Sequence, residues 1–210
     1  MVIQPDFKNN KGLWVQRSYV GEKYVWTVSG VLWNNIKERC TVGGSTQTRE
    51  PTYINCKNSF KDFQSFTEWH RNQVGYGLGY QLDADILKDG VKEYSESKCV
   101  LIPSELNKFL QSYKGKRGKY PQGMYLHNRS GKLHVRIEYG ETKKCLGLFP
   151  VSDLEKARSV YKQHKDEQGR AWYDRLLSGR YTVDNRVIEY MSKWEYICDW
   201  RADEQNNFSS

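Results

Sequence analysis

Residues 123–161 read GMYLHNRSGKLHVRIEYGETKKCLGLFPVSDLEKARSVY. In the segment from Gly131 to Tyr139, Leu133, Val135 and Ile137 alternate with Lys132, His134 and Arg136. That period of two marks a strand with one apolar and one cationic face. Gly123 to His127 reads as the strand before it and Thr142 to Leu148 as the strand after it, with turns at 128–131 and at Gly140-Glu141. Ser152 and Glu155 form a capping-box pattern for a helix on which Leu154, Ala157, Val160 and Tyr161 share a face. The expected unit is a three-stranded meander with one helix across its back. The helix would cover the Leu133, Val135 and Ile137 side and leave Lys132, His134 and Arg136 open.

Charge concentrates in the same region. Between Gln111 and Phe149 there are nine Lys or Arg against Glu138 and Glu141, so this stretch carries +7 of the chain's net +8. Residues 1–110 hold 14 basic and 12 acidic groups, and residues 150–210 hold 10 and 11. A positive charge confined to one small element is the footprint of a polyanion partner, whereas charge kept for solubility spreads out. The segment 114–119, KGKRGK, reads as a flexible basic connector whose Lys116 and Arg117 can touch phosphates. Arg and Lys on a sheet laid in a DNA groove can read guanine edges while their neighbours hold phosphates.

Upstream, Trp33, Ile36 and Cys40 fall at helical spacing, and Phe60, Phe63, Phe66 and Trp69 recur every third residue behind a cap expected at Ser59. The aromatic stripe at that spacing reads as core. Residues 41–58, with Gly43-Gly44 and Pro51, read as a loop or short irregular hairpin. An Asp-rich turn from Asp83 to Asp89-Gly90 suggests a tight hairpin before the apolar run Cys99 to Ile102. Pro103 then opens a short helix burying Leu106, Phe109 and Leu110. Near the C-terminus, Trp172, Leu176 and Leu177, and then Val187, Tyr190, Met191 and Trp194, suggest two further helices. The segment 203–210 reads as a flexible tail.

The 210 residues, 38% hydrophobic and 14% aromatic, suit two small folded units better than one, and the compositional break falls near Lys114. The cysteines Cys40, Cys56, Cys99, Cys145 and Cys198 are odd in number and far apart, which argues against a secreted disulfide framework. Buried thiols are the simpler reading; a zinc site would have to gather Cys40, Cys56 and Cys99 with a His. No stretch approaches the ~20 apolar residues of a membrane helix, so the expected setting is intracellular.

The motifs Gly123-Met-Tyr, Ser130-Gly-Lys-Leu, Val135-Arg-Ile, Leu146-Gly-Leu-Phe and Asp153-Leu-Glu-Lys-Ala-Arg-Ser-Val-Tyr161 resemble, in order and spacing, the Apetala-two type DNA-binding domain. That family lays its three-stranded sheet in the DNA major groove. The resemblance implies contacts from Tyr125 and His127 on the first strand, Lys132 and Arg136 on the second and Lys143 on the third. Arg129 and His134 join them in the expected DNA-binding set. Family members commonly carry Arg where this chain has Tyr125 and His127, so their base preference does not transfer.

In phage genomes such a domain often follows an HNH-type homing endonuclease domain. Trp33-Asn-Asn-Ile-Lys-Glu-Arg-Cys40, Phe63-x-x-Phe-x-x-Trp69, Leu82-Asp-Ala-Asp-Ile and Tyr94-Ser-Glu-Ser-Lys-Cys99 resemble that domain's landmarks. HNH chemistry uses a His general base, a metal such as Mg2+, and Asp or Asn ligands. The resemblance implies Asp83 as a metal-binding acid and Asn107 as a second ligand. It also sets Ala84 where the general base should stand and Lys98 in place of the middle Asn. Cleavage would therefore need a substitute base, His70, or Asp85 acting on a metal-bound water.

The expected class is α+β: a degenerate HNH (ββα)-like domain over 1–112, a basic linker over 113–120, the sheet-and-helix DNA-binding domain over 121–167, and C-terminal helices with a tail over 168–210. The leading expectation is a phage-encoded, sequence-selective binder of double-stranded DNA in the host cytoplasm, for which the sequence names no cofactor. The alternatives are an active metal-dependent homing or nicking endonuclease using Mg2+, and an interaction protein acting on a host factor. A homodimer stays open, and no membrane partner is expected.

Overall fold

The computed structural model describes residues 2–111, 119–139 and 142–197. The chain is a mixed α+β protein that divides into two compact units, residues 1–104 with 182–187 and residues 105–181 with 188–210. The chain passes from one unit to the other after Ser104, after Tyr181 and after Val187, the third of these inside the last helix.

The first unit opens with a three-stranded sheet of β1 (Val2–Gln4), β2 (Arg17–Val20) and β3 (Lys23–Thr27). β3 is central, parallel to β1 and antiparallel to β2. Helix α1 (Val28–Cys40) follows β3 without a loop. Its first turn is satisfied by the Thr27 hydroxyl, which accepts from the Gly30 N–H at 3.1 Å. After it come α2 (Ser45–Arg49), a single 3-10 turn at Pro51–Tyr53 and β4 (Lys57–Asn58), so residues 41–58 hold two short helical pieces rather than a hairpin.

Helix α3 runs Phe63–Arg71, and its cap is Asp62 rather than Ser59. Asp62 accepts from the Ser65 N–H at 2.8 Å while the Ser65 hydroxyl accepts from the Asp62 N–H at 3.1 Å, a reciprocal box. Phe60 precedes the helix yet stays in the core with Phe66 and Trp69, their ring centroids 5.0 Å from its own. Ile36, Cys56, Ala84, Tyr94 and Cys99 complete that core.

The segment around Asp89-Gly90 departs from a tight hairpin. β5 (Gln81–Asp83) pairs antiparallel with β7 (Val100–Ile102), whereas β6 (Glu93–Tyr94), lying between them in sequence, pairs parallel with β4. Burial of Tyr94, with its hydroxyl accepting from Arg39 at 2.9 Å, draws β6 to β4. Pro103 stands just before helix α4 (Ser104–Leu110), in which Leu106 is buried and Phe109 and Leu110 half-buried.

The second unit carries β8 (Met124–His127), β9 (Lys132–Tyr139) and β10 (Thr142–Phe149) as an antiparallel meander with β9 central. Leu133, Val135 and Ile137 are buried, and Val135 and Ile137 pack with Met124, Ala157 and Tyr161. Gly123 is needed where the chain enters β8. It has φ +77°, and a Cβ there would stand 2.1 Å from a Tyr161 ring carbon and 2.7 Å from the Arg136 carbonyl oxygen.

The capping box expected at Ser152 and Glu155 does not form. Ser152 donates to Asp153, Glu155 accepts from Arg158 on its own helix, and a 3-10 turn at Val151–Asp153 leads into helix α5. α5 runs from Leu154–Leu177 without a break, where two helices were expected. Pairs one turn apart line its exposed side: Lys162 with Asp166, and Gln163 with Glu167. The indole of Trp194 lies against Gly169, where a Cβ would come within 2.2 Å of it, so the one helix-weakening residue there is also a packing requirement. Trp172 and Leu176 are buried and Leu177 is exposed. Helix α6 (Asn185–Ser192) follows and buries Val187 and Met191. Among the described residues no helix is long and apolar enough to cross a membrane.

Candidate nucleic-acid interface

The register of the second sheet collects one set of side chains on the face away from α5. Directly opposed residues of antiparallel strands share a face. Tyr125 stands opposite His134, His127 opposite Lys132, Lys143 opposite Glu138 and Cys145 opposite Arg136. Five of the residues expected to contact DNA through this sheet, Tyr125, Lys132, Arg136, Lys143 and Arg129 in the β8–β9 turn, are exposed, and His127 and His134 are half-buried. A bulge between Cys145 and Gly147 shifts the register so that Leu148 faces the same side as His134.

These groups hold one another in place. His134 Nδ1 is 2.6 Å from the Tyr125 hydroxyl, and Nε2 is 2.8 Å from Cys145 Sγ and 3.4 Å from Arg136 Nε. Arg136 can only donate, so Nε2 accepts and the ring proton sits on Nδ1, donating to the Tyr125 oxygen. The phenol proton is then free to point outward. Partial desolvation, with Arg136 and His127 as like-charge neighbours, holds His134 below the ordinary imidazole range. The imidazole is thus neutral at pH 7 and presents a hydrogen-bonding surface rather than a cation. The Arg136 guanidinium lies 5.0 Å from the centre of the Tyr125 ring. Lys143 pairs with Glu138 at 3.3 Å, which removes part of the charge of that corner; both groups are well exposed, so the pair is weak and can open. Lys116 and Arg117 lie outside the described residues.

The residues singled out for nuclease chemistry fall in different places. Asp83 ends β5 and is buried; its Oδ1 accepts from the N–H groups of Asp85 and Ile86, each at 2.8 Å, closing a turn on itself. Burial pushes its carboxyl up, against the pull of those two N–H donors. Asp85 is exposed and ion-paired with Lys92, and Ala84 is buried in the core. Lys98 lies between Asp89 at 3.5 Å and Glu93 at 3.7 Å. Asn107 belongs to α4, in the second unit.

His70 sits near the end of α3, 2% exposed and stacked on Phe66 at 5.7 Å. Its Nδ1 is 2.7 Å from Ser29 Oγ, and Ser29 donates through both Oγ and its backbone N–H to Asp6, at 2.6 and 2.9 Å. The Tyr76 hydroxyl adds a third donor to Asp6 at 2.9 Å. Ser29 has one hydroxyl proton and gives it to the carboxylate, so His70 donates Nδ1–H to Ser29 Oγ. Burial carries the His70 imidazole down to about 4. No hydrogen bond joins His70 to Asp83 or Asp85 among the described residues. Asp6, Ser29 and Tyr76 went unnoticed in the sequence because nothing local relates residues 6, 29, 70 and 76; only the fold brings them together.

Cys40 and Cys56 approach to 3.3 Å, and buried Cys99 is in the same core. No group of three His, Cys, Asp or Glu residues is placed to hold a metal ion among the described residues. No protein-family profile, curated protein or solved structure matches the chain.

Proposed function

We propose that the second unit binds double-stranded DNA with sequence preference, through the exposed face of β8, β9 and β10. The observation that carries this reading is the register, which sets Tyr125, His127, Lys132, His134 and Arg136 on one open side of a sheet backed by α5. A twisted three-stranded sheet of this kind fits a major groove. There Arg136 is the candidate for bidentate reading of a guanine edge, Lys132, Lys143 and Arg129 for holding phosphates, and Tyr125 and His127 for hydrogen bonds to bases. The link to Apetala-two type domains rests on the motifs and is part of this proposal. The first unit is read as a degenerate HNH-type scaffold of phage origin, because Ala84 is packed in the core, Asp83 serves its own turn and Asp85 is paired with Lys92.

The test is binding of the full chain to random and selected duplexes across a salt series, with plasmid DNA and Mg2+ assayed in parallel. Duplex affinity should fall steeply with salt, since each phosphate contact releases condensed counterions. R136A should lose about tenfold or more on the selected site and flatten the preference between sites. Salt-independent or absent binding overturns the reading, and Mg2+-dependent nicking abolished by D83A would restore the endonuclease.

A further inference from the structure

The first unit presents a second sheet face that the DNA-binding reading does not use. In β2 and β3, Arg17 stands opposite Trp26 and Tyr19 opposite Tyr24, and on the other side of β3, Ile3 of β1 pairs with Trp26. These five side chains therefore share one face, while Val25 and Thr27 point to the other and are buried. The shared face is open: Tyr19 is 70% exposed, Tyr24 39% and Ile3 50%. The rings form a ladder, with Tyr19 and Tyr24 centroids 5.1 Å apart and Tyr24 and Trp26 6.2 Å apart. Arg17 lies over both neighbours, 5.5 Å from the Tyr24 ring centre and 5.4 Å from that of Trp26.

From this arrangement we infer that the β1–β3–β2 face is a stacking platform for the unpaired bases of single-stranded nucleic acid. Two features select that occupant. An open aromatic or guanidinium plane gains most from another π face, and the π faces of bases are available only outside a duplex, where neighbouring pairs no longer cover them. The single charge at the register positions of the face is the Arg17 cation, while Lys23 pairs with Val20 and alternates onto the other side with Val25, so the platform favours an occupant that joins flat rings to negative charge at the Arg17 end. Tyr19, the most exposed ring, would take the first base, and the Arg17 plane over Tyr24 and Trp26 the next.

The experiment is fluorescence anisotropy of the full chain with a labelled short oligothymidylate, which cannot pair with itself, and with an abasic oligomer of equal length and charge. The oligothymidylate should bind more tightly than the abasic strand. Y19A should weaken it by about tenfold, the scale of one lost base–aromatic stack, while Y19F keeps it. Y24A should act in the same direction. Y19A should leave duplex affinity and the melting temperature unchanged, since Tyr19 is mostly in water. Equal affinity for the abasic strand, or an unchanged Y19A, overturns the inference. So does self-association of the wild-type chain, seen in sedimentation and abolished by Y19A, without loss of oligothymidylate binding; the face would then join copies of the protein. Loss of duplex binding alone overturns the reading of the second unit and leaves this one standing.

Discussion

His70 and His134 use the same ring in opposite settings. Each has Nδ1 within hydrogen-bonding distance of a hydroxyl, Ser29 in one case and Tyr125 in the other, and each is held below the ordinary imidazole range. For His70 the cause is deep burial, and its partners end in Asp6, enclosed by the fold. For His134 the partners stand on an open face among Arg136, His127 and Cys145. The same chemistry thus serves to join the segment after β1 to α1 and α3 in the first unit, and in the second to orient groups that meet solvent. A histidine picked out by type alone does not announce which of these it is; its partners do.

The largest effect separating the two should appear in acid. The His70 imidazole titrates at about 6.5 when unfolded and about 4 when folded, with Asp6 opposing and Arg71 reinforcing the effect of burial. Between those values the unfolded chain binds the extra proton. Stability contributed by this group is therefore complete above the unfolded value and is lost as pH falls through the window, by about 3 kcal/mol at roughly 1.4 kcal/mol per unit. Denaturant melts of the wild type from pH 7 to pH 4 should show that loss, and H70Q should flatten it. An equal slope in H70Q would mean that other groups carry the acid sensitivity.

Next in size, Gly123→Ala tests whether the open face depends on the packing beneath it. The added methyl collides with Tyr161 and with the Arg136 carbonyl oxygen, at a residue with positive φ. A cost of about 2 kcal/mol or more in the melt of the second unit is expected, with duplex affinity falling in parallel. Unaltered stability would show that Tyr161 can move aside.

A finer cut comes from K132A. Lys132 is exposed and has no base-reading role in the proposal, so its removal should weaken all duplexes alike and reduce the salt slope by about 1. A selective loss on one sequence would move Lys132 into the base-reading group. The smallest change is Y125F, which removes the oxygen that accepts from His134 but keeps the ring beneath Arg136. An affinity loss of a few-fold, about 1 kcal/mol or less, is expected with stability unchanged; a loss as large as that of R136A would make the phenol a principal base contact.

Much of the second unit was legible. β9 alternates the apolar Leu133, Val135 and Ile137 with the polar or charged Lys132, His134, Arg136 and Glu138, and burial of the apolar three follows from that alternation. α1 and α3 were likewise readable from aromatic and aliphatic spacing. Less visible were the N-terminal sheet, whose β2 and β3 lack a simple apolar–polar alternation, and β6, where a two-residue strand is recruited by Tyr94 and not by local preference. The continuity of α5 past residue 167 was missed because Gly169 looks like a weak point until Trp194 is seen against it.

What the sequence alone determined is the α+β class, the position of the meander and the concentration of positive charge around it. Each depends on periodicity or composition within a few neighbouring residues, which the chain carries wherever it goes. The tertiary structure alone decided that His70 is tied to Ser29 and Asp6, that Asp83 closes its own turn, and that Arg17, Tyr19, Tyr24 and Trp26 share an open face. Those outcomes require strand register and contacts across 23 to 70 residues of chain in the His70 network. Such contacts are selected by the packing of whole elements against one another, and no local pattern encodes them.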